Sequence, residues 1–232
     1  MTERSFDDFD GHAENYRQIH SENVKISGAD SFYFAEHKVK LLQQFEKNEK
    51  CRVLDLGCGD GATEIFMNRY FPAFRIDGID ISLKSIERAE SRNIPGASFT
   101  LYDGKTIPFE DNYFEIVFVA AVLHHVDFSL HAVLIQEIHR VLKPNGRIYL
   151  FEHNPLNPVT RYLVKTCVFD KDAKLLWYSY SKKLLKEQLF RNVENKYILF
   201  FPRKGVLSVL IKLEENLGWL PFGGQYMLKA VK

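Results

Sequence analysis

Val53-Leu54-Asp55-Leu56-Gly57-Cys58-Gly59-Asp60-Gly61-Ala62 reads as an apolar strand that runs into a glycine-rich turn and then into a helix. Glycines at 57, 59 and 61 permit unusual backbone angles and remove Cβ atoms, so the main chain can approach a bound molecule at the carboxyl end of a strand. Glycine spacing alone is a weak signal. A dinucleotide-binding turn has two residues between its second and third glycines, whereas Asp60 stands alone between Gly59 and Gly61. Charge separates the candidate ligands further. Asp55 and Asp60 flank the place where a pyrophosphate would meet the helix N-terminus, and two carboxylates repel that anion while suiting a cation. The plainer alternative is a tight turn whose Asp60 caps the following helix.

On either side, short apolar runs at 52–56, 74–79, 98–101, 114–121 and 147–151 alternate with helix-like stretches, the pattern of parallel strands joined by crossover helices. Ala62, Ile65, Phe66 and Tyr70 share one helical face, and Leu130, Leu134, Ile138, Val141 and Leu142 share another. Lys143-Pro144-Asn145-Gly146 then supplies stop and turn chemistry. Further on, the pattern predicts a helix over 181–190 and strands over 197–201 and 225–231, which complete a seven-stranded sheet. The expected fold class is therefore α/β, a doubly wound, Rossmann-like, mostly parallel sheet. We expect one domain spanning 1–232: an N-terminal helical cap or lid at 1–47 and an α/β core from 48, elaborated on the substrate side around 156–222.

The chain has 232 residues, of which 46% are hydrophobic and 26% charged, enough to close a sizeable core. Its net charge of +1 supplies no global field for nucleic acid or an anionic membrane, so a small molecule is the expected partner. The first ten residues lack the basic-then-apolar order of a secretory signal, and no apolar run reaches a membrane span, so the expectation is a cytoplasmic protein. Cys51, Cys58 and Cys167 fit neither a disulfide framework nor a zinc motif and are read as reduced thiols. No spacing of His, Cys and carboxylates marks a dedicated metal site.

Two further acids follow strand ends. Asp80, in Gly78-Ile79-Asp80-Ile81-Ser82, lies where nucleotide-binding α/β folds place a ribose, and Ser82 is free to cap the next helix in its stead. Asp103, in Tyr102-Asp103-Gly104, is balanced between a turn residue and a ligand acceptor.

Together these segments resemble the class I S-adenosylmethionine (SAM)-dependent methyltransferases, in particular the branch of the ubiquinone and menaquinone methyltransferases. Residues 53–61 are similar to that family's first motif, Ile79-Asp80-Ile81-Ser82 to its ribose-binding motif, and Tyr102-Asp103-Gly104 to its adenine-contact motif. Ile107-Pro108-Phe109, residues 114–126 and residues 140–147 resemble its later blocks. The resemblance covers roughly 50–153 and implies a sheet with a reversed last strand, SAM as cofactor and S-adenosylhomocysteine (SAH) as product. It implies Gly57 and Gly59 at the methionine moiety, Asp80 on the ribose, Asp103 beside adenine, and Ile81 and Gly104 flanking the base. Asp55, Cys58, Ala120 and Tyr33 complete the expected cofactor set. The chain departs from the family in having Glu115 where aspartate is frequent and Ala120-Ala121 where a polar pair is expected.

An oxygen or nitrogen acceptor must lose a proton, and His153, His125 and His124, each following a strand, are the candidate bases. In the cap, Tyr16, His20, Tyr33 and His37 could close over the cofactor or simply pack on the core. The apolar stretch 206–222 could cover an apolar or lipid-linked acceptor, although a helix and loop packed on the sheet is the first expectation. Lys182, Lys183 and Lys186 read as a solvated helix face. The expected function is methyl transfer to the oxygen, or to a nitrogen or carbon, of a small molecule in a biosynthetic pathway. The alternatives are a degenerate methyltransferase fold acting as a binding partner and, ranked lower, an NAD(P)-dependent oxidoreductase.

Overall fold

A computed structural model describes residues 31–167, 170 and 173–232; Tyr16, His20 and the rest of 1–30 lie outside the described residues. The strands are β1 (Cys51–Leu56), β2 (Phe74–Asp80), β3 (Ala97–Leu101), β4 (Phe114–Ala120), β5 (Leu142–His153), β6 (Arg191–Ile198) and β7 (Gln225–Val231). They form one sheet in the order β3-β2-β1-β4-β5-β7-β6, in which β7 pairs antiparallel with both β5 and β6 and the others pair in parallel. The helices are α1 (Ser31–Leu42), α2 (Ala62–Tyr70), α3 (Leu83–Ser91), α4 (Phe128–Val141), α5 (Pro158–Thr166), α6 (Tyr178–Glu187) and the single turn α7 (Glu214–Leu217). The strand order reverses between β1 and β4, and the crevice at their carboxyl ends is where such sheets bind ligands.

Both sheet faces are covered, which is why the central strands read as continuous apolar runs. Leu54, Leu56, Val117 and Val119 pack with Leu134 and Ile138 of α4 and Leu185 of α6, while Val53, Ile116, Phe118 and Phe151 pack with Phe66 and Met67 of α2 and Leu42 of α1. The β4–β5 register shifts between Phe114 and Ile116, with the extra residues on β5 between Leu142 and Arg147, and Phe114 packs in the same cluster as Val117 and Val119. The turn chemistry of 143–146 is absorbed into β5 at this irregularity, with Asn145 at φ 64°. Glu46, beyond α1, accepts hydrogen bonds from Arg147 at 2.6 and 2.7 Å and from Tyr149 at 2.5 Å, tying the cap to the sheet.

Three expected elements differ in position or packing. The strand expected over 197–201 is β6, at Arg191–Ile198, so Phe200 and Phe201 are released to line a cavity. Charged residues at 191, 194 and 196 on this edge strand mask its periodicity, as edges guarded against aggregation commonly do. The helix expected over 181–190 begins earlier, at Tyr178, and Leu189 turns the chain at φ 66°. The stretch after Gly205 is a 3₁₀ helix (Val206–Leu213) followed by α7, and neither has a buried residue. It meets the sheet edge through Gly218 O, which accepts from Tyr197 N at 2.8 Å, but its apolar side chains stay exposed, Val206 at 88% and Val209 at 75%. No helix among the described residues is long and apolar enough to cross a membrane.

Candidate active site

The glycine turn is built for close approach. Gly57, Gly59 and Gly61 have φ of 78°, 55° and 80°, all in the left-handed region. A Cβ on Gly57 would collide with the Val122 side chain, whereas one on Gly59 would meet nothing within 4 Å, so Gly59 opens onto free space. Ile79 O accepts from Gly57 N at 2.8 Å and Cys58 N at 3.1 Å, stitching the turn to β2. Asp80 completes the join: its Oδ2 accepts from Gly59 N and its Oδ1 from Ser82 N, both at 2.9 Å. Ser82 caps α3 by accepting from Ser85 N at 3.2 Å, as expected from the sequence.

The turn's negative charge is not distributed as the sequence suggests. Asp60 accepts from Arg92 at 2.6 Å, which neutralises it. Asp55 is buried behind the turn against Glu64, and among the described residues Asp55 Oδ2 and both Glu64 oxygens have no hydrogen-bond donor. Burial pushes the Asp55 carboxyl up to about 7, with the Asp80 charge adding to the rise and Glu64 and Lys38 opposing it. Burial and the Asp55 charge raise Glu64 well above the carboxylate range. Two such acids coexist by sharing a proton. Asp80 and the Arg92-paired Asp60 therefore line the cavity, whereas Asp55 is absent from its lining.

A cavity of about 610 Å³ lies across the carboxyl ends of β1 and β4. Gly57, Cys58, Gly59, Asp80, Ile81 and Ala120 line one side of it, and Tyr33, Phe34 and Lys38 of α1 form its cover. Tyr33 is fixed by Arg203, whose guanidinium lies 4.0 Å from the ring centroid, and burial pushes its hydroxyl up to about 12. His37 lies behind Tyr33, 3.4 Å from its hydroxyl. Asp103 and Gly104 do not line the cavity: Asp103 accepts from Lys105 N and Thr106 N at 2.8 Å, the turn role of its two alternatives. Glu115 lies toward the opposite end of β4, bonded to Lys143 and to Arg52 N.

His124, His125 and His153 do come together and line the same cavity as the glycine turn. The 3₁₀ turn Leu123–His125 is held by the buried His131, whose Nε2 lies 3.0 Å from Leu123 O and 3.1 Å from Val126 O. His124 Nδ1 is 2.6 Å from Glu152 Oε2, while Glu152 Oε1 accepts from Leu123 N at 2.8 Å. On the far side, Asp170 Oδ1 lies 3.7 Å from His124 Nε2 and 3.5 Å from His125 Nε2. The His153 ring centroid is 5.0 Å from that of His124. Against the penalty of its burial, the Glu152 charge and the Asp170 hydrogen bond raise His124 to about 9. Burial and the neighbouring His124 charge lower His125 to about 4 and His153 to about 3. The sequence marks the histidines but misses Asp170, 45 residues after His125, and Lys38, a buried amine that burial lowers to about 8. It also misses Gln225, which pairs with His153 across β5 and β7 and lines the cavity, its Oε1 without a donor among the described residues. Only Lys38, a lysine inside an otherwise apolar stripe, carried a readable signal.

A family profile described as a methyltransferase domain matches residues 53–146. An uncharacterized protein of Methanocaldococcus jannaschii is 32% identical over 194 residues, 83% of this chain and 78% of its own. A ubiquinone/menaquinone biosynthesis C-methyltransferase of Desulfotalea psychrophila is 34% identical over 105 residues, 45% of this chain and 42% of its own. The chain spans about half the length of the first curated relatives it matches. Among solved structures, a SAM-dependent methyltransferase from Archaeoglobus fulgidus superposes with a TM-score of 0.68 at 19% identity, covering 88% of this chain and 95% of that one. At that identity the likeness speaks for the fold.

Proposed function

Since the chain belongs to the class I SAM-dependent methyltransferases, we propose that it transfers a methyl group from SAM to a small, largely apolar acceptor bearing an ionisable hydroxyl. The observation that carries this reading is a cavity lined both by the glycine turn with Asp80 and by the histidine cluster. The residues fit the cofactor: Gly59 leaves open space for it, and Asp80 offers acceptor oxygens at the edge of the same space. Gly57, Cys58, Gly59, Asp80, Ile81, Ala120 and Tyr33 would hold it. When bound, SAM supplies an activated methyl carbon and departs as SAH, the electron pair of the broken C–S bond remaining on sulfur.

The chain's own part is to align the acceptor, exclude water and handle its proton. Alignment in a closed site can supply about 7 to 11 kcal/mol of a barrier. His153 lines the cavity beside His124 and is the group proposed to meet the acceptor hydroxyl, with His125 and His124 behind it. An apolar acceptor is supported by Phe34, Val122, Val159, Leu163, Phe200 and Leu207 on the walls, and a matched relative is named for quinone biosynthesis. We also assign the protein to the cytoplasm, where its free thiols Cys51, Cys58 and Cys167 stay reduced.

The test is calorimetry with SAH. Wild type is expected to bind one equivalent. Asp80→Ala, which removes a charged acceptor, should bind roughly 10- to 100-fold more weakly, as expected for hydrogen bonds to a charged group. Absence of wild-type binding rejects the proposal. SAH binding with no turnover across a panel of hydroxylated apolar acceptors would favour the non-catalytic alternative.

A further inference from the structure

We propose that His124, His125 and Asp170 form a binding site for a divalent first-row transition metal in the acceptor half of the cavity. One ligand atom from each of the three side chains lies within 4.8 Å of the others. Two imidazoles and one carboxylate make up the facial set that binds such metals and leaves positions open for another ligand. The separations of 3.5 and 3.7 Å from Asp170 Oδ1 to the two imidazole Nε2 atoms are close to those between atoms sharing a metal at roughly 2.0 to 2.2 Å.

An independent feature supports the site. A metal-bound imidazole almost always donates its second ring N–H to a carboxylate or carbonyl, which fixes its tautomer and aims the other nitrogen at the metal. Glu152 provides that acceptor, 2.6 Å from His124 Nδ1, and is itself held by Leu123 N. The arrangement leaves His124 Nε2 directed toward Asp170. Charge agrees as well. Glu152 and His124 are almost fully buried, with Asp170 close by, and buried charges are tolerated when paired or bound to a metal. Lys38 faces Glu152 from α1 and offsets part of that charge, but it does not reach the ligand set.

The inference rests on the methyltransferase reading for its chemical purpose. A metal at this position would bind the acceptor's hydroxyl oxygen: the O–H bond breaks, the proton passes to the neighbouring His153, and the electron pair stays on the metal-bound oxygen. That oxygen would then be the methylated atom or would activate the carbon beside it. The substrate class is thus a phenol or enol that can ligate through oxygen.

The experiment uses the full chain, stripped with a chelator and dialysed. Zn²⁺ binding is followed by calorimetry and Co²⁺ binding by visible absorption, with no SAM present. One equivalent is expected to bind. Asp170→Asn and His125→Gln alter the more exposed ligands and should abolish the Co²⁺ absorption, while Glu152→Gln should weaken binding roughly 10- to 100-fold, as loss of an orienting carboxylate does. Circular dichroism confirms that each variant is folded. A wild-type chain that binds no Zn²⁺, or folded ligand variants that bind it as tightly as wild type, would overturn the assignment. SAH calorimetry on the same samples separates the two readings: SAH binding without metal binding defeats only the metal site, and metal binding without SAH binding defeats only the methyltransferase assignment.

Discussion

Asp55 and Glu64 face each other beneath the glycine turn, and among the described residues no other side chain donates to three of their carboxyl oxygens. Burial raises both, Asp55 to about 7, so the folded protein retains protons that the unfolded chain has released. Their contribution to stability is present below the ordinary carboxylate pKa and is lost as pH rises through about 7. The Asp55→Asn/Glu64→Gln double variant removes this titration. Urea denaturation between pH 4 and 8 should show the variant gaining on wild type as pH rises, by on the order of 1.4 kcal/mol per pH unit for each proton retained. A difference that is flat across that range would contradict the shared proton. Other titrating groups, including the histidines, are common to both proteins and drop out of the comparison.

Within single elements, local chemistry decides register. Ser82 is the N-cap of α3, and Ser82→Ala should cost about 1 kcal/mol in a denaturation midpoint. A loss below about 0.3 kcal/mol would mean that Asp80, which accepts from Ser82 N, organises this junction alone. The legible elements had such local signals: β1 and β4 through apolar runs, α4 through its stripe, and the turn through glycines that must adopt positive φ. The strand β6 was misplaced because its edge position favours charge over alternation. The site was legible on the cofactor side, where neighbouring residues in sequence form it. On the acceptor side it was half legible: the histidines sit at strand ends, but Asp170 and Gln225 reach them across long stretches of chain that carry no shared pattern. Asp60 lines the cavity as its place in the turn suggests, but its partner Arg92 comes from the far end of α3 and carries no local signal.

Across the whole molecule, exposed apolar side chains concentrate on α5 and residues 206–222, the two segments that supply Val159 and Leu207 to the cavity. Val206, Val209 and Leu213 on the 3₁₀ helix stand out from the surface, with Trp219 and Phe222 just beyond and Val159 and Tyr162 on α5. A patch of this kind on a folded surface marks a binding face. Leu207→Ser/Val209→Ser should leave stability within about 0.5 kcal/mol of wild type, because neither residue is buried. In an acceptor series of increasing alkyl length, KM should fall with length for wild type and stay nearly flat for the variant. Equal slopes would assign the patch to something other than the acceptor.

The sheet carries one more consequence in its connectivity. The partner of β5 on its outer side is β7, which is read 72 residues after His153, whereas β6, read earlier, pairs within the sheet only with β7. While the chain emerges from a ribosome, the backbone amides and carbonyls of β5 along that side have no mate, and β6 has no strand to pair with. The Rossmann-like half can assemble early, but the wall carrying His153 stays unfinished until residues 225–231 slot in, a long-range closure that is inherently slow.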